Sequence, residues 1–209
     1  RTLGNKQEPA TVISLLTPAR RVTTLLCWSA FFCAFVAMYF ISSWLPQILV
    51  NAGYTQERAI QATSIIPFGA IFGTILVGWL SHWWGLNRLI AFAMVLGTLG
   101  IFLLSMTLGK IDHIPFGIII GILLFIGITF TGGYSNLYTI TVTVYPSQIR
   151  STGLGWAAGL GRAGAVISPT IAGMMIDRGV SIPNMFLYFS APIIISALCV
   201  ALIRMRELP

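Results

Sequence analysis

Long apolar runs separated by short polar connections make up nearly the whole of this chain. Runs of roughly 18 to 25 residues are long enough, as helices, to cross the ~30 Å hydrocarbon core of a bilayer. The pattern predicts six of them, at about Val22–Leu49, Ala62–Ser81, Leu86–Leu108, Pro115–Tyr145, Thr152–Ile176 and Pro183–Ile203. The fourth is longer than a crossing requires, and its Gly132-Gly133 pair is where a bend or loosened turn is expected. Pro115 and Pro183 sit near first-turn positions, where a missing N–H costs nothing. The expected fold is an all-α membrane protein. Residues 22–204 form a six-helix bundle, 1–21 the tail of a loop and 205–209 a short C-terminal tail.

Composition supports the bilayer as solvent. Hydrophobic residues make up 56% of the 209 and charged residues only 8%, whereas a soluble domain carries about a quarter charged. Cys27, Cys33 and Cys199 all fall inside apolar runs, an odd number without metal-type spacing, so they read as buried thiols. The opening RTLGNKQEPA is polar and lacks an apolar core, so it is expected to be a loop tail of something longer rather than a signal peptide. Arg1, Lys6, Arg20, Arg21, Arg88, Arg150, Arg204 and Arg206 fall at one set of helix ends; only Arg58, Lys110 and Arg178 fall at the other. By the positive-inside rule both termini are expected in the cytoplasm. The net charge of +7 is thus mostly a topology signal. No basic, water-exposed face with interleaved aromatics is present, so no nucleic-acid partner is expected.

The stretch GLGRAG, Gly159 to Gly164, has the glycine spacing of a dinucleotide-binding loop, and Asp177 follows at a suggestive distance. That fingerprint has meaning only between a strand and a helix. Here it lies inside one long apolar, glycine-rich run, so no cofactor is expected. In a membrane helix glycines let backbones approach, and Gly155 and Gly159 form a small-xxx-small pair. Arg162 is the unusual residue. It lies about ten residues into its helix, roughly 15 Å at 1.5 Å per residue, and a charge near the bilayer midplane costs several kcal/mol. Its face carries Gly155, Ala158, Ala165 and Gly173, leaving room for a ligand or for a carboxylate on a partner helix. All five acids (Glu8, Glu57, Asp112, Asp177 and Glu207) fall at ends or in loops, so a structural partner would come from outside this chain.

Other polar groups fall on shared faces. Tyr39, Ser43 and Gln47 follow i, i+4, i+8 spacing on the first span; Thr129, Asn136 and Thr143 recur every seven on the fourth, where Tyr134 and Tyr138 line a second face. Phe35, Phe40, Trp44 and Trp156 are candidates to stack on a ring, or simply to pack or sit at the interface.

Two blocks carry a family resemblance. YPSQIRSTGLGWAAGLGRAGAVISP (Tyr145 to Pro169) closely resembles the loop and eleventh helix of the aromatic acid:proton symporters, and YFISSWLPQIL (Tyr39 to Leu49) resembles the end of their seventh helix. Six spans behind a basic tail are similar to the C-terminal half of a twelve-helix major facilitator superfamily transporter. The resemblance implies a bacterial inner-membrane protein carrying a small organic anion, a hydroxybenzoate-like aromatic carboxylate, by proton symport. Arg162 would pair the carboxylate, since a guanidinium meets a carboxylate through a planar fork. Tyr39, Asn136, Tyr138, Ser43, Thr129, Trp44 and Trp156 would line the site. The superfamily loop motif, roughly G-x-L-x-D-R-x-G-R-R, appears as GWLSHWWGLNR; Gly78, Leu80, Gly85 and Arg88 remain, with His82 and Trp83 where Asp and Arg are usual. Gly78, Gly85, Arg88 and Arg150 are the candidate gating or loop-motif residues. No Asp, Glu or His lies deep in a span, so the proton-coupling carboxylate is expected in a missing N-terminal half.

Within the same class, a carrier of nicotinate, muconate or another organic anion, or an exporter, would keep Arg162 and change the pocket. A membrane enzyme would need a nucleophile–base pair or metal cluster, and the sequence offers neither. A scaffold or sensor that has lost transport is the remaining class.

Overall fold

The structure, a computed structural model, describes residues 12–108 and 114–203. Three predicted features lie outside them: the tail through Thr11 with Arg1, Lys6 and Glu8; the connection 109–113 with Lys110, Asp112 and His113; and residues 204–209 with Arg204, Arg206 and Glu207. Among the described residues every regular element is helical. A short α1 (Val12–Leu15) precedes α2 (Arg21–Asn51), α3 (Gln56–Trp84) and α4 (Leu86–Leu108). Next, α5 (Phe116–Ile126), a π-helical turn (Gly127–Thr131) and α6 (Gly132–Val144) form one continuous rod, followed by α7 (Arg150–Asp177) and α8 (Ile182–Leu202). Five crossings, α2, α3, α4, the Phe116–Val144 rod and α8, are long and apolar enough to span a membrane. The sixth, α7, has the length at 28 residues, but glycines and Arg162 dilute its apolar content.

Helix ends follow local chemistry. The Thr55 hydroxyl accepts from the Arg58 N–H to cap α3. A single residue, Gly85, reverses the chain between α3 and α4, at φ +82°, where a side chain would be strained.

With no water to drive apolar surfaces together in lipid, close backbone approach and hydroxyl-to-carbonyl hydrogen bonds hold the helices. α2 and α7 run parallel. A Cβ on Gly161 would sit 2.9 Å from the Phe35 ring, and one on Gly164 only 2.6 Å from the Phe32 carbonyl oxygen. Further along the pair, Ser168 Oγ donates to Val36 O at 2.6 Å and Trp44 Nε1 to Pro169 O at 3.2 Å. α8 crosses behind them, with Ser196 Oγ donating to Ala30 O at 2.9 Å and Phe189 stacked on Phe40 at 4.0 Å. α4 and α8 pair antiparallel: Asn87 Nδ2 donates to Ile203 O at 3.1 Å at one end, Ser105 Oγ to Pro183 O at 3.1 Å at the other. Their outer faces are apolar, with Phe92, Val95 and Leu99 on α4 and Ile194, Ile195 and Leu198 on α8 all exposed. This is a multi-pass membrane protein.

Two expectations are corrected. The loosened turn falls at Gly127–Thr131, not at Gly132-Gly133, which are helical and buried. The physical reason is the contact with α3. Gly127 packs on Ile66 and Gly69, and a Cβ on Gly132 would lie 2.7 Å from the Gly73 backbone. Five residues of α-helix would turn these two glycines about 140° apart, whereas an i→i+5 turn stacks them on one face. The second correction concerns Gly155 and Gly159. Among the described residues nothing lies within 4 Å of a would-be Cβ on either; the close approach of α7 to α2 belongs to Gly161 and Gly164, with Ala157, Ser168 and Ala172 buried on the same face.

Candidate functional site

Gly161 and Arg162 face different ways. Gly161 is pressed beneath Phe35, and one step round the helix Arg162 stands exposed, twelve residues after Arg150 and fifteen before Asp177. Phe35 belongs to a ladder on α2 at i, i+4 spacing: its ring lies 6.2 Å from Phe31 and is stacked on Tyr39 at 5.8 Å and 15°. α6 meets this ladder edge-on, Tyr134 at 5.3 Å from Phe35 and Tyr138 at 5.1 Å from Phe31. The Tyr134 and Tyr138 rings meet edge-on at 6.2 Å, and Tyr39 and Arg162 are near enough to act on Tyr134 electrostatically. The fold thus gathers Tyr39, Tyr134, Tyr138 and Arg162 from three helices onto one face. Tyr39, Tyr138 and Arg162 are exposed there.

The other candidates distribute around this cluster. Ser43 is exposed one turn beyond Tyr39. Trp156 is exposed, its ring 6.2 Å from Trp28, above a shallow groove floored by Gly155 and Gly159. Trp44 is half-buried and commits its indole N–H to Pro169. Asn136 and Thr129 do not reach the open face. Asn136 is 3% exposed and donates to Gly132 O at 2.9 Å and Thr74 O at 3.4 Å, tying the rod to α3; Thr129 donates to Phe125 O at 2.6 Å. The acids among the described residues are Glu57, in the first turn of α3, and Asp177, the last residue of α7.

At the end of the bundle that holds Arg21, Arg88 and Arg150, a buried chain of contacts closes α2, α6 and α7 together. Tyr145 Oη donates to Thr24 Oγ1 at 3.0 Å, and Thr24 Oγ1 donates to Leu15 O at 2.8 Å. Gly153 lies against the Tyr145 ring, and Arg150 Nε donates to the Tyr145 carbonyl at 3.4 Å. Arg88 is exposed in a cleft with Trp83, Gly85 and Asn87, while Gly78 has open space around it.

Residues 1–169 match the family model of the Major Facilitator Superfamily. The chain belongs to that superfamily. Among curated proteins it is 30% identical to a gallate transporter of Pseudomonas putida, over 93% of this chain and 42% of the relative. It is 29% identical to a gentisate transporter of Corynebacterium glutamicum, over 96% of this chain and 44% of the relative. It is 30% identical to a 3-(3-hydroxy-phenyl)propionate transporter of Escherichia coli, over 98% and 49%. The chain therefore spans under half the length of these relatives. Among the described residues, α2 to α8 make up one six-helix half of the superfamily's twelve-helix fold.

Proposed function

We propose that this chain is the C-terminal half of a secondary transporter that carries an aromatic carboxylate by proton symport. One observation carries the reading: an arginine at mid-length of a long helix, exposed beside an aromatic cluster that includes Tyr39, Tyr134 and Tyr138. Facing lipid at that depth, the charge would cost several kcal/mol. Facing a polar cavity between two halves, it becomes the strongest available partner for an anion, because pairing in a water-poor site is far stronger than in bulk water. The guanidinium takes the carboxylate through two parallel N–H···O bonds. Tyr39 and Tyr138 then offer ring faces and hydroxyls at the level of the substrate ring, with Ser43 and Trp156 at the margins of the same face. The curated relatives are named for gallate, gentisate and a hydroxyphenylpropionate, each an aromatic ring bearing a carboxylate and at least one hydroxyl.

Both acids among the described residues lie at helix ends, Glu57 in the first turn of α3 and Asp177 last in α7, so the titrating group that couples proton to substrate belongs to the other half. The basic end of the bundle, with Arg21, Arg88 and Arg150, is cytoplasmic, and the membrane is the inner membrane of a bacterium. Arg150 and Arg88 there hold helix ends and gate contacts rather than substrate.

The test is uptake of radiolabelled 4-hydroxybenzoate into membrane vesicles carrying the full-length protein. Accumulation driven by an inward proton gradient and collapsed by a protonophore is expected. A protein that concentrates a non-aromatic anion and ignores aromatic acids would overturn the substrate class.

A further inference from the structure

A recess of about 360 Å³ opens between α2, α3 and the π turn. Met38, Ile41 and Leu45 make its walls apolar, while Ser42, Thr63, Ser64 and Thr131 add hydroxyls. Three features point the same way. Thr131 is 6% exposed, and its hydroxyl is buried without a hydrogen-bond partner. On the same rod Thr129, Ser135 and Thr141 each donate to the carbonyl four residues back, at 2.6, 2.9 and 2.8 Å. Thr131, the last residue of the π turn, makes no such back-bond, although Thr129 in the same turn does.

The second and third features are prolines. Pro46 in α2 and Pro67 in α3 have no N–H, so each deprives the carbonyl four residues earlier of its helical donor. Those carbonyls belong to Ser42 and Thr63, and both residues line the recess. Two carbonyls that lack their helical donor therefore belong to residues lining a small, mostly apolar space, beside a buried hydroxyl without a partner. Such backbone breaks are tolerated at membrane depth only where they line a cavity or find new partners.

A phenolic hydroxyl is the group that fits, since it donates one hydrogen bond and accepts another while its ring needs apolar walls. Met38, Ser42 and Pro46 alternate along α2 with Tyr39 and Ser43, so the recess adjoins the face where the carboxylate site lies. We propose that this recess is the hydroxyl subsite of the transporter: a ring hydroxyl of the aromatic acid donates to the freed carbonyl of Ser42 or Thr63 and accepts from Thr131 Oγ1. A step of Thr131 between its staggered χ1 wells exchanges methyl and hydroxyl and brings the donor to bear. The inference rests on the proposed aromatic-acid substrate and adds the feature that separates hydroxylated from plain aromatic acids. A site built around a substrate hydroxyl discriminates against the analogue lacking it, because its own polar groups are then left unpaired.

The test uses purified full-length protein and three acids: benzoate, 4-hydroxybenzoate and 3,4-dihydroxybenzoate. Thr131→Val keeps the shape and removes the hydroxyl; Thr131→Ser keeps the hydroxyl. With Val, affinity for whichever hydroxylated acid binds tightest should fall about 10-fold, the scale of one hydrogen bond left unmade. Benzoate affinity should change by less than about 2-fold, and Ser should behave as wild type. If all three acids bind wild type and Val changes them equally or not at all, the hydroxyl subsite is wrong and the carboxylate site stands. If none binds wild type, the substrate class fails and the subsite with it.

Discussion

Within GLGRAG each residue answers to a different neighbour. Gly161 and Gly164 let α7 lie against α2, and Arg162 between them points to the open face. The sequence shows that this run is a membrane helix and that Arg162 is its anomaly, because a charge in an apolar run stands out whatever surrounds it. It does not show which glycines pack: Gly155-xxx-Gly159 and Gly161-xx-Gly164 look alike until the partner helix fixes the angle. The consequence is measurable. Gly164→Val would drive a side chain into the Phe32 carbonyl, 2.6 Å from the first added carbon, and a backbone oxygen cannot swing aside. A loss of roughly 1–3 kcal/mol is expected, as in other overpacked cores. Gly159→Ala meets no described atom of this chain and should cost far less. Thermal unfolding in detergent separates the two. Equal melting temperatures would contradict the assigned packing face.

At the scale of elements, hydropathy locates the six long helices to within about six residues at each end, since length and apolar content are what a bilayer asks of a helix. It misses the π turn. A shift from i→i+4 to i→i+5 leaves no mark in hydropathy; it is imposed by the Gly69 and Gly73 surface of α3, which Gly127 and Gly132 must both meet. Asn136 shows the same limit. Its seven-residue spacing with Thr129 puts both on one face, but that face turns to α3 and not to the open side. For helix orientation the sequence offers the arginines at helix ends, which the positive-inside rule reads as cytoplasmic. In a background lacking Cys27, Cys33 and Cys199, Gln56→Cys at the start of α3 should react with an impermeant thiol reagent on intact cells. Ser147→Cys, exposed in the α6–α7 connection, should react only after the membrane is opened. The reverse pattern would invert the proposed topology.

At the scale of the whole molecule, the described chain is a wall rather than a container. Its lipid-type faces on α4 and α8 are apolar, while the side carrying Tyr39, Tyr138 and Arg162 offers a strong cation and, among the described residues, carboxylates only at helix ends. In a superfamily whose members close a cavity between two such halves, that imbalance is what an anion would satisfy. Substrate affinity of purified full-length protein for 4-hydroxybenzoate, compared between wild type, Arg162→Ala and Arg162→Lys, tests this most directly. Ala should weaken binding by about 100-fold or more, with the protein still folded by its melting temperature. Lys should recover little, because an ammonium keeps the charge and loses the planar fork. Wild-type affinity in a folded Arg162→Ala variant would contradict the account and remove Arg162 from the site.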